Sequence, residues 1–517
     1  MSANPTLDRA MASVLQTSAG IGGAAAVLKD GEVLLRHSWG WADQDRRIPF
    51  TPATLFRICS ISKQFTCAAL LDRFPDPAVL DGDVKARLPL LAEPAPRTAD
   101  LANNQSGLRD YWATAMLCGS PVEAPFGDME AARLIGLTRS LHFAPGTRYS
   151  YCNQNFRILG DIVADRADRP LSDVLQGIFD KAGMSRALLA ADTSALPDGA
   201  VGYEGSLDEG FRPAVNRILW TGDAGIGASL DDLIAWERFI DGTRDDAGGL
   251  YRRLCAPQSF RDGTPAPYGF GIGQPKLLNR RITSHGGGLR GWKSFRFYAP
   301  EERISVVVLF NHMSDPRAAA QELFAGLLGV PSKEPPSPAG AAATWTGTYV
   351  EPETGLVTRI EPSPDNRVRL HYSGRPEVLD AKGEAEAVSG TLRLRRAADG
   401  IWMDRPDDNL SARLAPLEGE AKTDIAGTFH NAEYDATLTC VDRGGQLYGA
   451  FSGFLGPGLM QPLLPAGPDH WRLPCPRSLD FSPPGDWTLA FRRDGAGRIS
   501  GLQAGCWLAR RIDFTRV

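Results

Sequence analysis

The feature that most restricts how this chain folds is a change of pattern at "GVPSKEPPSPAGAAATW", residues 329–345. Proline and small residues there interrupt every periodic run, which is the composition of a linker. Before it, "SLDDLIAWERFID" and "AAAQELFAGLLG" repeat apolar residues with the helical period, while "GGAAAVLKDGEVLLRHSWG" and "WKSFRFYAPEERISVVVLFNH" read as hairpins. That mixture describes an α+β unit on an antiparallel sheet. After it the helical period nearly vanishes, and short strands such as "LVTRIEP", "RVRLHYS", "GTLRLRR", "ATLTCVD" and "WTLAFRR" follow one another between turns. "WTGTYV" at Trp345 and "IAGTFH" at Ile425 start alike and set Gly347 and Gly427 80 positions apart. The second half therefore reads as a repeated unit, two small all-β antiparallel barrels. The expected organisation is an α+β domain over residues 1–331, a linker over 332–343, and barrels over 344–416 and 417–517.

Composition narrows the function. A chain of 517 residues with a net charge of −5 and no long basic run argues against a nucleic-acid partner. No stretch reaches about 18 uninterrupted apolar residues, and the start "MSANPTLDRAMASVLQ" has no basic segment leading into an apolar one, so neither membrane nor export is expected. The eight cysteines lack paired metal spacing and fit reduced thiols in a cytoplasmic protein. His37, His142, His312, His371, His430 and His470 form no ligand spacing, so the reading contains no metal and no cofactor.

The chemistry-bearing residues lie in the first half. "RICSISKQFTCAALL" puts Phe65, Ala68, Ala69 and Leu71 along a mostly apolar helical stretch that begins near Ser60. A serine at a helix N-terminus sits at the positive end of the dipole beside free backbone N–H groups, which stabilise an oxyanion. Lys63, three residues on, projects from the same face and can reach the Ser60 hydroxyl as an amine base. Taken alone, an N-cap serine with a solvated lysine is the commoner meaning of that spacing. In "FAPGTRYSYCNQNF", Tyr151 precedes Asn153 by two residues and offers a phenol for proton transfer beside an amide for orienting a lysine or a substrate. In "TSHGGGLRGW", His285 leads Gly286, Gly287 and Gly288, whose backbone can approach a ligand closely and complete an oxyanion hole. A half-buried surface tyrosine and a loop histidine are the plain alternatives. Cys59 and Cys152 adjoin these residues without a nearby histidine in sequence and read as packing.

Taken in this order, serine-x-x-lysine, tyrosine-x-asparagine and a histidine-led glycine run resemble the serine β-lactamase and penicillin-recognising enzyme superfamily. "DQDRRIPFTPATLFRICSISKQFT", "NNQSGLRDYW", "GDAGIGASLDDLIAW" and "YGFGIG" also look like landmarks of its catalytic domain. The resemblance implies an all-α region set against a five-stranded antiparallel sheet flanked by helices, with the active site between them. It further implies that Ser60 is the nucleophile, that Lys63 takes its proton, and that Tyr151 relays a proton to or from the leaving group. Asn153 would orient Lys63 and the substrate amide, and the backbone N–H groups of Ser60 and Gly288 would form the oxyanion hole. An ammonium is no base, so the site must favour the neutral amine by burial or share its proton with Tyr151, and the residues leave open which of the two is the base.

Departures from the pattern bear on substrate. D,D-carboxypeptidases and β-lactamases of the superfamily carry lysine then threonine or serine in the third motif, where they hold a substrate carboxylate. His285 and Gly286 stand there instead, without a hydroxyl and with at most a partial charge at neutral pH. Esterases, amidases and aminopeptidases remain. A catalytic domain followed by two lipocalin-like β-domains is similar, over the whole chain, to the bacterial D-aminopeptidases (D-stereospecific aminopeptidases). That resemblance implies a homodimer, and a loop from the last domain that enters the cleft. The matching segment is "PCPRSLDFSPPGDW", residues 474–487, stiffened by four prolines. Asp480 in it would pair with a substrate ammonium, Asp486 being the rival and a solvated surface loop the plain alternative. Gly286 and Gly287 would line the substrate. The expected activity is release of N-terminal D-amino acids, D-Ala-like, from small peptides, amino-acid amides and esters through an acyl-serine, with β-lactams as candidate inhibitors. The alternatives are a β-lactamase-fold esterase or amidase with no need of a free amine, and a non-catalytic protein that binds peptides or β-lactams.

Overall fold

The computed structural model describes residues 4–332, 342–363, 367–372, 376–479, 481 and 484–517, so most of the expected linker lies outside the described residues. Five long antiparallel strands carry the first half, in the order Thr283–Leu289, Trp292–Ala299, Ile304–Phe310, Gly22–Lys29, Glu32–Asp43. Both expected hairpins are present. They join side by side, with Ala26 opposite Val307, so residues far apart in sequence share one sheet. Three two-residue strands, Ile48–Pro49, Tyr268–Gly269 and Ile272–Gly273, widen the sheet to eight, beyond the five strands implied by the resemblance.

The central strand Ile304–Phe310 is buried at all seven positions, as a β-branched, aromatic run covered on both faces must be. One face is covered by the helices Pro5–Thr17 and Pro316–Leu328, which set Leu7, Met11, Val14, Leu323 and Phe324 against Phe297, Val306 and Val308. Asn4 and Asp315 cap these helices by accepting backbone N–H groups of the first turn, and each helix starts on a proline. The opposite face meets the helix Leu230–Thr243 and the all-α region, where Trp236 packs at a tilt against Phe65 with ring centroids 4.6 Å apart. Between helix and sheet, Glu237 and Arg296 form a wholly buried two-pronged ion pair at 2.6 Å for both bonds. Ser305 donates to the same carboxylate and the Thr283 carbonyl accepts from the guanidinium, which leaves the pair well satisfied.

The second half is all-β. A nine-stranded antiparallel sheet runs from Gly347 to Pro416, and its two end strands, Leu410–Arg413 and Ala415–Pro416, are one residue apart in the chain, so the sheet curls into a nearly closed barrel. A ten-stranded sheet between Gly427 and Arg516 forms a half-barrel. Gly347 and Gly427 open the first strand of their respective sheets, as the shared Gly-Thr-aromatic start requires. Among the described residues the half-barrel shares its core with the first half. Tyr434, Phe451 and Trp487 belong to the same apolar cluster as Tyr111, Trp112 and Cys118 of the first half. No helix among the described residues is long and apolar enough to cross a membrane, which says nothing about crossing by strands.

Candidate active site

A short 3-10 turn, Cys59–Ile61, leads directly into the helix Ser62–Arg73. Cys59 holds φ at +54°, in the left-handed region that a non-glycine residue rarely occupies, immediately before Ser60. Ser60 is left partly exposed while the helix from Ser62 to Leu71 is buried all round. Burial on every side carries Lys63 fully into the interior. Its Nζ donates to Ser60 Oγ at 3.0 Å, Asn153 Oδ1 at 2.9 Å and the Asp223 backbone carbonyl at 2.8 Å. The two carbonyl oxygens can only accept. They hold two N–H bonds, and the position aimed at Ser60 Oγ carries either the third proton or the lone pair of the neutral amine.

Asn153 opens the helix Asn153–Ala167, and its amide orientation is set from behind. Asp110 Oδ2 accepts both the Asn153 backbone N–H at 2.5 Å and its Nδ2 at 3.0 Å, which turns the amide oxygen toward Lys63. Asp110 caps the helix Tyr111–Leu117, its other oxygen accepting the Trp112 N–H at 2.9 Å. Burial lifts its carboxyl to about 6 against the pull of those N–H bonds and of the Lys63 charge. Asp223 is held in turn by the Tyr111 hydroxyl and the Thr221 N–H.

Tyr151 lies with its ring centroid 5.0 Å from Lys63 Nζ and 6.4 Å from the His285 ring. His285 is buried and neutral: loss of hydration, with the nearby Lys63 charge, pulls it down to about 3. Its Nδ1 faces the Gly286 carbonyl at 2.6 Å and so carries the proton, leaving Nε2 to accept from the Tyr268 hydroxyl at 3.0 Å. Both ring nitrogens are thus committed inside the protein, and the ring carries no positive charge at neutral pH. Gly286 is exposed. Gly287 lies against the turn before the serine, where a Cβ would run into the Ile58 carbonyl and the Ser294 hydroxyl that donates to it. A Cβ at Gly288 would touch the ring of Phe481, which also lies 4.2 Å from Lys293 Nζ.

Phe481 belongs to the loop from the last sheet. That loop is tied to the first half by Arg477, which pairs with Glu123 at 2.7 Å and Glu204 at 3.3 Å, and by the Ser478 carbonyl, which accepts from Arg290 at 2.7 Å. Asp480 lies outside the described residues. Asp486 accepts from Arg472 at 2.7 Å.

Ser60, Lys63, Tyr151, Asn153, His285 and the glycine run therefore meet in one place, between the helical region and the sheet edge. The β-lactamase family model matches residues 7–329, and the model of D-aminopeptidase domain B matches residues 338–515. A D-aminopeptidase of Gluconobacter oxydans (strain 621H) is 54% identical over 99% of this chain and 98% of its own length. The chain belongs to the D-aminopeptidase family. Another member, from Brucella ovis, is 48% identical over 99% of both chains. The octameric penicillin-binding protein homologue from Pyrococcus abyssi shares the fold, with a TM-score of 0.54 at 19% identity over 86% of this chain and 97% of its own. Within this D-aminopeptidase-family site, Asp110, Asp223 and Tyr268 lie in the landmark segments "NNQSGLRDYW", "GDAGIGASLDDLIAW" and "YGFGIG", but sequence reasoning gave none of them a role. Of these Asp110 carries a readable local signal, as a cap residue ahead of the Tyr-Trp helix start.

Proposed function

We propose that the chain is a serine hydrolase that releases N-terminal D-amino acids, D-Ala-like, from peptides, amides and esters through an acyl-serine. The observation that carries this reading is the Lys63 amine fixed by two carbonyls so that its remaining position faces a partly exposed Ser60 hydroxyl. With Lys63 neutral, its lone pair takes the Ser60 proton as Oγ attacks the substrate carbonyl, and the N–H groups of Ser60 and Gly288 bear the oxyanion. Tyr151 passes a proton to the departing amine or alcohol. Water then cleaves the acyl-serine and restores the Ser60 hydroxyl. Neutral His285 and bare Gly286 offer a C-terminal carboxylate no counter-charge, which supports action at the other end of a peptide. The D-preference is supported by the curated relatives that align over 99% of the chain. Asp480, which lies outside the described residues, is assigned to the substrate ammonium from its place in the sequence of that loop.

The same reading divides the chain into a catalytic unit 1–331 and barrels 344–416 and 417–517, places it in the cytoplasm with all eight cysteines unpaired, and takes the homodimer and the β-lactam sensitivity as further proposals. Hydrolysis of D-alanine p-nitroanilide, its L-isomer and its N-acetyl derivative by wild type and Ser60→Ala tests it. Turnover of the free D-amine alone, lost in Ser60→Ala, is expected. Faster cleavage of the acetylated compound would overturn the free-amine requirement.

A further inference from the structure

The contacts behind Asn153 extend beyond the catalytic half. Asp110 donates its backbone N–H to the Leu508 carbonyl at 2.9 Å. Its neighbour Arg109, only 3% exposed, donates to the carbonyls of Arg510 at 2.8 Å and Arg511 at 3.1 Å. These carbonyls belong to the turn that joins the last two strands of the half-barrel, Ile499–Cys506 and Ala509–Arg516, and to the start of the second of them. Glu433, from the same half-barrel, accepts the backbone N–H groups of Arg139 at 2.8 Å and Ser140 at 3.2 Å beside Arg109. An unbroken series of hydrogen bonds thus runs from Leu508 through Asp110 and Asn153 to Lys63 and Ser60.

We propose that Asp110 is a positioning residue for the nucleophile, keeping the Asn153 amide oxygen on Lys63, and that the last hairpin of the half-barrel holds Asp110 in place. The inference rests on the reading of Ser60 and Lys63 given above. Three N–H donors converge on the Asp110 carboxylate, two on one oxygen and one on the other. A carboxylate accepts at both oxygens, whereas an asparagine there offers one acceptor and turns an NH2 group toward either Trp112 or Asn153. Facing that NH2, Asn153 is free to turn over and present its own Nδ2 to the amine. Lys63 then loses the acceptor that directs its remaining position at Ser60. A shift of about an ångström at a catalytic group costs on the order of 10²-fold in rate. The half-barrel is on this view a structural part of the acid–base pair as well as the source of the loop over the glycine strand.

The test uses the full chain and a substrate-independent readout, the rate at which a serine-directed fluorophosphonate labels Ser60, together with kcat and KM on D-alanine p-nitroanilide. Asp110→Asn is expected to slow labelling and kcat by about 10²-fold with KM changed less than about threefold. Arg109→Met, which releases the Arg510 and Arg511 carbonyls and keeps Asp110, is expected to slow labelling by about tenfold. In an Asn153→Ala background, Asp110→Asn is expected to add less than about a further threefold, because its effect passes through Asn153. Wild-type circular dichroism in each variant separates positioning from unfolding. Labelling at the wild-type rate in folded Asp110→Asn, or effects of Asp110→Asn and Asn153→Ala that multiply, overturn the proposal. Wild type that fails to label at Ser60 overturns the reading of the nucleophile itself, and the inference with it.

Discussion

Gly271→Ala is expected to disable the site from a position that packs on the Lys63 backbone. Gly271 sits in "YGFGIG" at φ +75°, and a Cβ built on it would lie 2.6 Å from both the carbonyl carbon and oxygen of Lys63 and 2.8 Å from Gln64 N. Ordinary contact begins at 3.4 Å, so the shortfall is about 0.8 Å, and the atoms in the way are backbone of a helix buried on all sides. The left-handed φ adds about 1–2 kcal/mol for a residue with a Cβ, and overpacking typically costs about 1–3 kcal/mol more. Relief by moving Lys63 displaces Nζ from contacts now at 3.0, 2.9 and 2.8 Å, and near-ångström misplacement costs on the order of 10²-fold in kcat. Gly273→Ala, two residues on, is the control, because a Cβ there meets nothing closer than 3.5 Å. Kinetics on D-alanine p-nitroanilide and thermal melts of both variants decide the matter. Gly271→Ala with kcat within threefold of wild type, or Gly273→Ala with an equal loss, would refute the reasoning.

Three further outcomes follow from buried charge. As pH falls through about 6, Asp110 takes a proton and loses capacity to accept from its N–H donors, so kcat is expected to fall there; a pH–rate profile of His285→Asn is expected to keep that limb, because the ring, held down at about 3, is neutral on both sides of it. Stability responds to the same histidine. Between 6.5 and about 3 the unfolded chain protonates His285 and the folded chain does not, so stability falls as pH falls across that window, and melts of His285→Asn are expected to drop less than wild type on acidification. Glu237→Gln strands the buried Arg296 charge and is expected to cost about 3–5 kcal/mol in denaturant unfolding, with Glu237→Leu combined with Arg296→Met recovering most of it.

What the sequence makes legible follows the range of the interaction. Ser60 with Lys63, and Tyr151 with Asn153, are each within three residues, so one helical turn or one loop joins them and the spacing can be read directly. The hairpins over 22–40 and 292–312 are equally local, and both form. The Asp223 carbonyl on Lys63 and the Tyr268 hydroxyl on His285 depend on chain segments brought together by tertiary packing, and a backbone carbonyl leaves no residue type to read. The extra strands Tyr268–Gly269 and Ile272–Gly273 are too short to produce an alternating pattern. The expectation that some 330 residues suffice for the catalytic unit rests on length. Length is silent about Arg109, whose burial depends on carbonyls in the half-barrel.

That arginine gives the order of synthesis a meaning. Arg510 follows Arg109 by 401 positions. A ribosome making this protein finishes the whole sheet of the catalytic half while the acceptors for Arg109, and the Leu508 carbonyl for Asp110, are still untranslated. The nascent chain therefore carries its nucleophile and its amine early but completes their support late. A stop codon anywhere before residue 508 removes those acceptors together with Leu508, Ile512 and Phe514 from the apolar cluster the two halves share, and the cell meets the product as a substrate for quality control rather than as a smaller hydrolase.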